Sequence, residues 1–317
     1  MFAWVEPFIL LLLGTVALAT LLPPRGPWAT AFGWAADAGI VLLFFLHGAK
    51  LSSEAIVAGA LGWRLHLAVF AVTFGLFPLL GLGLHRLASG PVAAGLLFLT
   101  LLPSTVQSSI AFTAIARGNV AAAVCSASFS NLAGIAVTPA LAALLMPAAG
   151  GAGGGFSLSS AEGIVGQLLL PFVAGHLLRP WIGGWVGRHK ALVSAVDRGS
   201  ILLVVFTAFG AAVAGGLWHR VSAHDLALVL ALCCVLLALV LLATWGLGRL
   251  LGFPRGDRVV LLFCGSKKSL ASGVPMAGVL FPPAQVGLVI LPLMLFHQIQ
   301  LMACAVIARA WPEGEGG

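Results

Sequence analysis

Long apolar runs follow one another along most of this chain of 317 residues, and they constrain its fold more than any other feature. Each run is close to the roughly 20 residues that a helix needs to cross a hydrocarbon core of about 30 Å. Hydrophobic residues make up 61% of the sequence and charged residues only 8%, against roughly 25% charged residues in a soluble domain. The runs do not alternate polar and apolar residues, as strands of a membrane barrel would. The sequence therefore predicts an all-α polytopic membrane protein.

Prolines, glycines and short charged segments divide the apolar sequence into about ten predicted spans. They are expected at about 4–22, 33–48, 65–84, 91–116, 120–146, 163–178, 200–217, 226–250, 259–280 and 286–307. The segment 181–197 is less hydrophobic and contains two tryptophans and several basic residues, which is typical of an interfacial amphipathic segment. The first run has no basic start and carries Glu6 there, so we expect a retained helix rather than a signal peptide.

Lysine and arginine fall mostly on one side of the membrane when the spans are counted from a cytoplasmic N-terminus. Eleven of the sixteen then lie in cytoplasmic segments and three in outer segments, with Lys267 and Lys268 left inside the ninth span. Since positive residues are retained in the cytoplasm, both termini are predicted to be cytoplasmic in a multi-pass protein of the plasma (inner) membrane. The positive charges are scattered rather than gathered on one face, which argues against nucleic-acid binding.

Two adjacent lysines, Lys267 and Lys268, interrupt the ninth predicted span. An ionisable residue at bilayer depth costs roughly 2.5–3.5 kcal/mol on insertion scales and normally faces a protein-lined or watery cavity. Gly265 before the pair and Pro275 after it predict a break in the helix. A second break is expected in the fourth span, where Pro103 begins a polar stretch that ends at 109.

The two predicted breaks lie at matching positions in two halves of the chain. The halves are residues 1–147 and 161–310, joined by a glycine-rich linker at 148–160, and the fourth span of each half is the interrupted one. Because five is odd, the second half must enter the membrane with the opposite orientation, as in the inverted repeats of secondary transporters. Paired broken helices would meet near the midplane and offer free backbone groups to ions and substrate. The alternative is that the breaks are only kinks between ordinary helices.

Polar residues around the two breaks are the candidate substrate- and ion-binding residues. For each of them the alternative is structural, because serine and threonine often bond to their own helix and buried amides can join neighbouring helices. The candidates are Lys267, Lys268, Ser266, Ser269, Ser104, Thr105, Gln107, Ser108, Ser109, Ser126, Ser130, Asn131, His297 and Gln298. The lysines could bind an anion, replace a bound cation or cap free carbonyls, and which of them faces a cavity stays open. A lysine or His297 that exchanges a proton would permit proton coupling.

No enzyme motif is present in the sequence, which contains no nucleophile elbow, no zincin helix and no phosphate-binding glycine loop. The five cysteines lie within apolar runs and are interpreted as small core residues rather than as a disulfide framework or metal ligands. We therefore expect neither an enzyme nor a cofactor or metal site.

Several short segments, spread over both halves, resemble a known family. They are LPSTVQSS at 102–109, the Gly118-Asn119 step, GIAVTP at 134–139, and Lys268-Ser269-Leu270 with the nearby Pro275-Met276. Jointly they resemble the bile acid/sodium symporter (SBF) superfamily over nearly the whole chain. They are most similar to its SBF-like branch, which includes member seven of the vertebrate solute carrier family ten.

The resemblance implies a ten-helix fold in which broken fourth and ninth helices cross. Helices 1, 2, 6 and 7 would form a panel and helices 3–5 and 8–10 a core, with substrate between them and cations at the crossover. The bile-acid branch holds two sodium ions with the help of an acidic residue and a Gln-Asn pair in the ninth helix. This chain has no carboxylate in 263–269 and carries Lys267 and Lys268 at the amide pair, while Ser109-Ile110 replaces a Ser-Asn contact. These differences argue against two-sodium coupling.

These features together predict a secondary transporter that moves a small or amphipathic organic anion by alternating access. A lysine at the crossover would take the place of part of the sodium sites. The protein would work in the lipid bilayer as a monomer or a homodimer. The alternative is a non-transporting membrane regulator of ion homeostasis that retains the transporter fold.

Overall fold

The computed structural model describes residues 7–50, 62–146, 165–216 and 221–311, and within these ranges every regular element is helical. The helices are α1 (Pro7–Leu21), α2 (Pro27–Lys50), α3 (Trp63–Leu87), α4 (Gly90–Leu101), α5 (Gln107–Ile115), α6 (Val120–Leu145), α7 (Leu170–Arg188), α8 (Lys190–Ala214), α9 (Ala223–Leu250), α10 (Arg255–Gly265), α11 (Leu270–Leu280) and α12 (Pro283–Ala310). The all-α prediction is confirmed for these residues. The predicted glycine-rich linker at 148–160 lies outside them.

Six of the described helices are long and apolar enough to cross a membrane by length and composition, namely α2, α3, α6, α8, α9 and α12. The fourth and ninth predicted spans each appear as two short helices instead. Those of the fourth span, α4 and α5, have 12 and 9 residues, and those of the ninth, α10 and α11, have 11 residues each. At about 1.5 Å per residue, none of these four helices crosses about 30 Å of hydrocarbon alone. The chain is a polytopic integral membrane protein, and the count of ten spans stays a prediction.

The segment at 181–197 belongs to two long helices, and its position at the membrane interface stays a prediction. Helix α7 continues through Trp181 and Trp185 to Arg188, and α8 begins at Lys190 after the non-helical His189. Both tryptophans are exposed on the surface of α7. Because tryptophan favours the membrane interface wherever a helix reaches it, a drop in hydropathy here reflects the end of a span and not the end of its helix.

One compact unit consists of Met1–Ser52, Pro139–Leu226 and Ala271–Leu291. Within it α2 packs against α7 and α8, and α8 also packs against α1. Two glycines allow α2 and α7 to approach closely: a Cβ atom on Gly48 would lie 2.0 Å from the Phe172 carbonyl oxygen, and one on Gly175 would lie 1.9 Å from the Phe45 carbonyl oxygen. Small residues are the usual means by which membrane helices bring their backbones together.

The other compact unit consists of Ser53–Thr138, Ala227–Leu270 and Pro292–Gly317. Here α10 packs against α3 and α5, and the second half of α3 packs against α4. A buried apolar cluster fills the space beside α10 and is formed by Ala116, Val259, Leu262, Phe263, Cys304 and Ala308. We call it the α10 cluster. Both units draw on both halves of the sequence, so the division into two repeats stays a prediction.

Candidate functional site

Two breaks in helical structure form the centre of the second unit. Residues 102–106 separate α4 from α5, and residues 266–269 separate α10 from α11. Pro103 has no backbone N–H to donate and disfavours helical geometry in the residue before it, which explains the first break. Both breaks were expected, but the first is shorter than predicted, since Gln107, Ser108 and Ser109 already belong to the first turn of α5.

The two breaks are hydrogen-bonded to each other. The Ser269 N–H donates to the Pro103 carbonyl oxygen at 2.9 Å, and the Ser104 hydroxyl donates to the Cys264 carbonyl oxygen at 2.5 Å. The Ser109 hydroxyl adds a bond to the Phe263 carbonyl oxygen at 3.0 Å. Since no water is available in the hydrocarbon core, backbone groups released by a break must find partners within the protein. Each break supplies partners for the other.

The carbonyl groups of residues 100–104, at and just after the end of α4, each receive a donor. The Thr138 hydroxyl donates to the Leu101 carbonyl oxygen at 2.8 Å, and the Asn131 amide donates to the Ser104 carbonyl oxygen at 2.7 Å. The Pro103 carbonyl oxygen accepts from the Ser269 N–H in the second break. The carbonyl oxygens of Thr100 and Leu102 accept from the Lys268 ammonium. All five consecutive carbonyl oxygens from residue 100 to residue 104 therefore accept a hydrogen bond. Two of the donors, Asn131 and Thr138, lie on α6, which gives a reason for these polar residues in that helix.

Lys268 caps three of the carbonyl groups in this region. Its ammonium Nζ lies 2.7 Å from the Thr73 carbonyl oxygen, 2.8 Å from that of Thr100 and 2.7 Å from that of Leu102. A lysine ammonium has three N–H donors, so all three are used. The side chain is fully buried, and the Phe77 ring centroid is 4.1 Å from Nζ. The ammonium also lies at the C-terminus of α4, where the helix dipole favours a positive charge.

The acceptors of Lys268 depend on irregularities in α3 and α4. Thr73 belongs to a π-helical segment, Val72–Leu76, within α3, while Thr100 and Leu102 lie at the end of α4, where carbonyl groups have no helical partner. Helix α3 approaches α4 through Gly81, since a Cβ atom there would lie 2.3 Å from the Thr100 hydroxyl oxygen. The resulting cradle of three carbonyl oxygens is filled by the Lys268 ammonium.

Gln300 holds the backbone of Lys268 from the other side. Its Oε1 accepts from the Lys268 N–H at 2.9 Å, and its Nε2 donates to the Lys268 carbonyl oxygen at 2.8 Å. The same Nε2 lies 2.9 Å from Nδ1 of His297, so His297 acts as an acceptor behind the amide. Gln300 is fully buried and was missed as a site residue. The available signal was an amide three residues after His297 in an apolar helix.

Lys267 has the opposite environment from its neighbour. Its side chain is also fully buried, but within the described residues its Nζ has no hydrogen-bond partner. It lies 3.9 Å from the Phe112 ring centroid and 5.5 Å from that of Phe263, beside the α10 cluster. Lys50 pairs with Asp197 in the first unit, but neither buried lysine forms an ion pair with a carboxylate of the described residues.

The remaining candidate residues are distributed unevenly around the two breaks. Thr105 bonds to the hydroxyls of Ser108 and Ser109, each at 2.8 Å, and the Ser104 N–H donates to the Ser130 hydroxyl at 3.0 Å. Ser126 lies apart from them, with its hydroxyl 2.7 Å from Nδ1 of His66. The side chains of Ser266, Gln107 and Gln298 are respectively buried, exposed and half-buried. Most of the candidates therefore form one network, while within the described residues the side chains of Lys267, Ser266, Gln298, Ser126 and Gln107 do not join it.

The Gly118-Asn119 step joins the turn between α5 and α6 to the start of α10. Asn119 donates from Nδ2 to Asp257 Oδ1 at 2.9 Å and from its N–H to the Gly256 carbonyl oxygen at 3.2 Å. The Arg255 guanidinium donates to the Arg117 carbonyl oxygen at 3.1 Å. Arg117 itself has a left-handed φ of 53°. This junction therefore joins the turn between α5 and α6 to the first residues of α10 by hydrogen bonds.

The described residues contain no group of three or more His, Cys, Asp or Glu side chains that could hold a metal ion. What the site offers instead is a set of hydroxyl, amide and carbonyl groups with two lysines and no acid. Such a centre can hold a positive charge as the ammonium group of a lysine side chain, and a lysine amine in it can exchange a proton.

Comparison with known proteins finds a family and several relatives. The model of a family described as the SBF-like CPA transporter family matches residues 6–313. An uncharacterized protein of Pseudomonas aeruginosa is 57% identical over 310 residues, which is 96% of this chain and 92% of that protein. The protein YfeH of Escherichia coli is 51% identical over 315 residues, or 98% of this chain and 94% of YfeH. Sodium/bile acid cotransporter 7 of Rattus norvegicus is 27% identical over 289 residues, or 86% and 82% of the two chains.

Proposed function

The chain belongs to the SBF-like CPA transporter family, and on this premise we propose that it moves a small or amphipathic organic anion across the membrane by alternating access. Membership confirms the resemblance drawn from the sequence motifs, and a family of transporters agrees with the absence of an enzyme motif. The name of YfeH proposes a symporter, and the name of the rat relative specifies sodium and bile acid, which is an amphipathic organic anion.

The arrangement of helices supports an inverted repeat of ten spans. If α4 with α5 and α10 with α11 are each counted as one broken helix, the described helices make ten. The two breaks then fall in the fourth helix of each half, and their mutual hydrogen bonds support a crossing of these two helices. Helices α1, α2, α7 and α8 gather in one unit, which supports their role as a panel. Membrane proteins with this plan bind substrate and ions where broken helices meet.

Lys268 is the residue on which the proposed mechanism depends. Its three carbonyl acceptors at 2.7 to 2.8 Å are the observation that carries the proposal. We infer that the ammonium is a built-in cation at the crossover and replaces part of the sodium sites. A free cation about 4 Å from it would be repelled by about 4 kcal/mol at an effective dielectric constant near 20. Sodium therefore has no place in this cradle, and proton coupling is the remaining alternative.

One observation also favours the second candidate function, a non-transporting membrane regulator of ion homeostasis. Lys268 is buried and fully hydrogen-bonded, which is what a purely structural cap of the two breaks requires. In that case its loss would lower stability without altering any flux. The orphaned Lys267 favours transport, because a structural lysine has no reason to lack an acceptor at full burial.

The proposal includes the setting in which the protein works. Both termini are placed in the cytoplasm by the distribution of lysine and arginine, and the plasma (inner) membrane is the proposed location. We propose a monomer or a homodimer whose partners are lipid and a small-molecule substrate.

Proteoliposomes containing the purified protein test this function. Uptake of radiolabelled taurocholate, and of a panel of smaller carboxylates and sulfonates, is measured under a sodium gradient, a proton gradient and no gradient. We expect uptake of at least one anion without sodium. Failure of every anion under every gradient would favour the regulator. Uptake that rises steeply with sodium would contradict a built-in cation at Lys268.

A further inference from the structure

Lys267 and Lys268 are adjacent in sequence, yet only one ammonium group has acceptors. All three donors of Lys268 are used, whereas Nζ of Lys267 has no hydrogen-bond partner within the described residues. Both side chains have 0% exposure. Burial alone therefore does not distinguish them, but hydrogen bonding does, and the difference bears on which of them can carry a charge here.

The surroundings of Lys267 stabilise an ammonium poorly. The ring of Phe112, whose centroid is 3.9 Å from Nζ, offers a cation–π contact. The cost of removing an ion from water exceeds what one such contact returns, even after the protein relaxes. The α10 cluster beside it contributes apolar side chains and no carbonyl acceptor. A neutral amine avoids most of this cost, because it carries no charge to desolvate.

Resting on the proposed transport function, we propose that Lys267 is the proton-exchanging group of the cycle. In this conformation it is a neutral amine, and it takes up one proton from water when the surroundings of its Nζ open, as R–NH₂ + H⁺ → R–NH₃⁺. The reverse step releases the proton when the apolar packing closes again. Lys268 stays protonated throughout because its cradle is complete. One lysine thus supplies a fixed charge and the other a transferable one.

Other titratable groups face Lys267 and have to be considered. The thiols of Cys264, on α10, and Cys304, on α12, are close enough to interact electrostatically with its amine. His297, on α12, is close enough to sense its charge. A thiolate from either cysteine would offer a different solution, namely a buried ion pair with a charged Lys267. The two cysteines therefore need their own variants in the test.

Phe112 is the side chain that would have to move for water to reach the Lys267 amine. It is half-buried, whereas Phe263 on the other side is fully buried. It also lies on α5, three residues before the end of that helix at Ile115. Because Phe112 packs against the α10 cluster, rotation of its ring would uncover Nζ and loosen the apolar packing on that side of the cluster.

The pH dependence of stability tests the protonation state without any substrate. If Lys267 is neutral in the folded protein and protonated when unfolded, the unfolded chain binds one more proton at any pH below about 10, the ordinary range of lysine. The stability of the wild-type protein then rises with pH on account of this residue. Lys267→Met removes that contribution. Thermal unfolding of the full chain in detergent, followed by tryptophan fluorescence, is compared for both proteins between about pH 6 and pH 9.

We expect Lys267→Met to unfold at a higher temperature than the wild type at the acid end. The difference should shrink by about 2 °C per pH unit as the pH rises. Lys190→Met, at an exposed position, is the matched control and should follow the wild type at every pH. A constant difference between Lys267→Met and the wild type would overturn the proposal. Should that variant fail to fold, Lys267→Gln replaces it.

The cysteine variants separate a neutral amine from an ion pair. Cys264→Ala and Cys304→Ala should keep the wild-type pH dependence if the amine is neutral. Loss of that dependence in either variant would point to a thiolate partner and contradict the proposal.

Transport measurements then connect the proton to the cycle. Vesicles loaded with the pH dye pyranine are given taurocholate in sodium-free buffer, and we expect a change in internal pH that Lys267→Met abolishes. A pH-dependent stability without taurocholate movement would leave the proton site standing and contradict the proposed substrate class. Taurocholate movement with no pH change in either protein would overturn the coupling role of Lys267.

Discussion

The Nζ atom of Lys268 donates to the carbonyl oxygen of Leu102 at 2.7 Å, so a side chain from the second break closes the backbone of the first. The two residues are 166 positions apart in the sequence. Neither break is complete without the other, because the carbonyl has no helical partner and the ammonium has no carboxylate among the described residues. The predictions below follow from this relationship and from the packing around it.

Replacement of Lys268 should destabilise the protein strongly. Lys268→Met leaves the carbonyl oxygens of Thr73, Thr100 and Leu102 without their donor. A buried polar group that loses its partner costs about 1–3 kcal/mol. We expect a fall of several degrees in the unfolding temperature measured by tryptophan fluorescence in detergent, and no such fall in Lys190→Met. A change of less than one degree would show that the cradle is not formed in solution.

Sodium should rescue a truncated variant but not the wild type. In Lys268→Ala the ammonium is gone, and the three carbonyl oxygens are left around the space that it occupied. Oxygen ligands suit a small hard cation, so NaCl should raise the unfolding temperature of this variant more than choline chloride does. The wild type should respond equally to both salts. An equal response in the variant as well would argue that the cradle is a cap and not a former cation site.

Loss of Gln300 should lower stability without changing any charge. Gln300→Leu removes both hydrogen bonds to the Lys268 backbone and the contact with His297, and we expect a cost of about 2–3 kcal/mol. Gln298→Leu in the same helix is the matched control. Its Oε1 is buried with no partner within the described residues, so its replacement should be neutral or stabilising. Equal unfolding temperatures for the two variants would contradict this account.

Side chains larger than hydrogen should not be tolerated where α2 crosses α7. Gly175→Ala places a methyl carbon 1.9 Å from the Phe45 carbonyl oxygen, well inside van der Waals contact, and a backbone atom cannot rotate away as a side chain would. We expect severe loss of folded protein in detergent, measured by size-exclusion chromatography. Gly14→Ala in α1 meets nothing within 4 Å and should elute as the wild type. Normal elution of Gly175→Ala would mean that this crossing is wider than described.

The positions of the breaks could be predicted from sequence because their causes are local. Pro103 removes an N–H from its own helix, and the glycine and lysines at 265–268 are poor occupants of a membrane span. The roles of the two lysines could not be predicted in this way. In a non-helical segment, side-chain direction follows no period, and one acceptor of Lys268 comes from Thr73, 195 residues away. Only the folded arrangement of α3 and α4 distinguishes Lys268 from Lys267.

Other differences from prediction have equally specific causes. The segment at 181–197 was distinguished from the neighbouring spans because its hydropathy is lower. Hydropathy reports how readily residues enter lipid and not whether the backbone is helical, and α7 stays helical as it becomes more polar. Gln300 was missed because its amide pairs with a backbone segment that is distant in sequence. Gln107 was included because it lies within the polar stretch 103–109, but its side chain is exposed at the start of α5.

The three acceptors of Lys268 belong to two helices, one on α3 and two at the end of α4. A motion that parted these helices would strand an ammonium and three carbonyl groups at the same moment, in a medium that offers no substitute partner. We expect no low-energy intermediate for such a motion, because the loss of one Lys268 hydrogen bond weakens the geometry of the other two. We therefore expect α3, α4 and the segment that carries Lys268 to move together as one rigid body. In the proposed alternating-access cycle, we therefore expect the hinge to lie outside this group of helices.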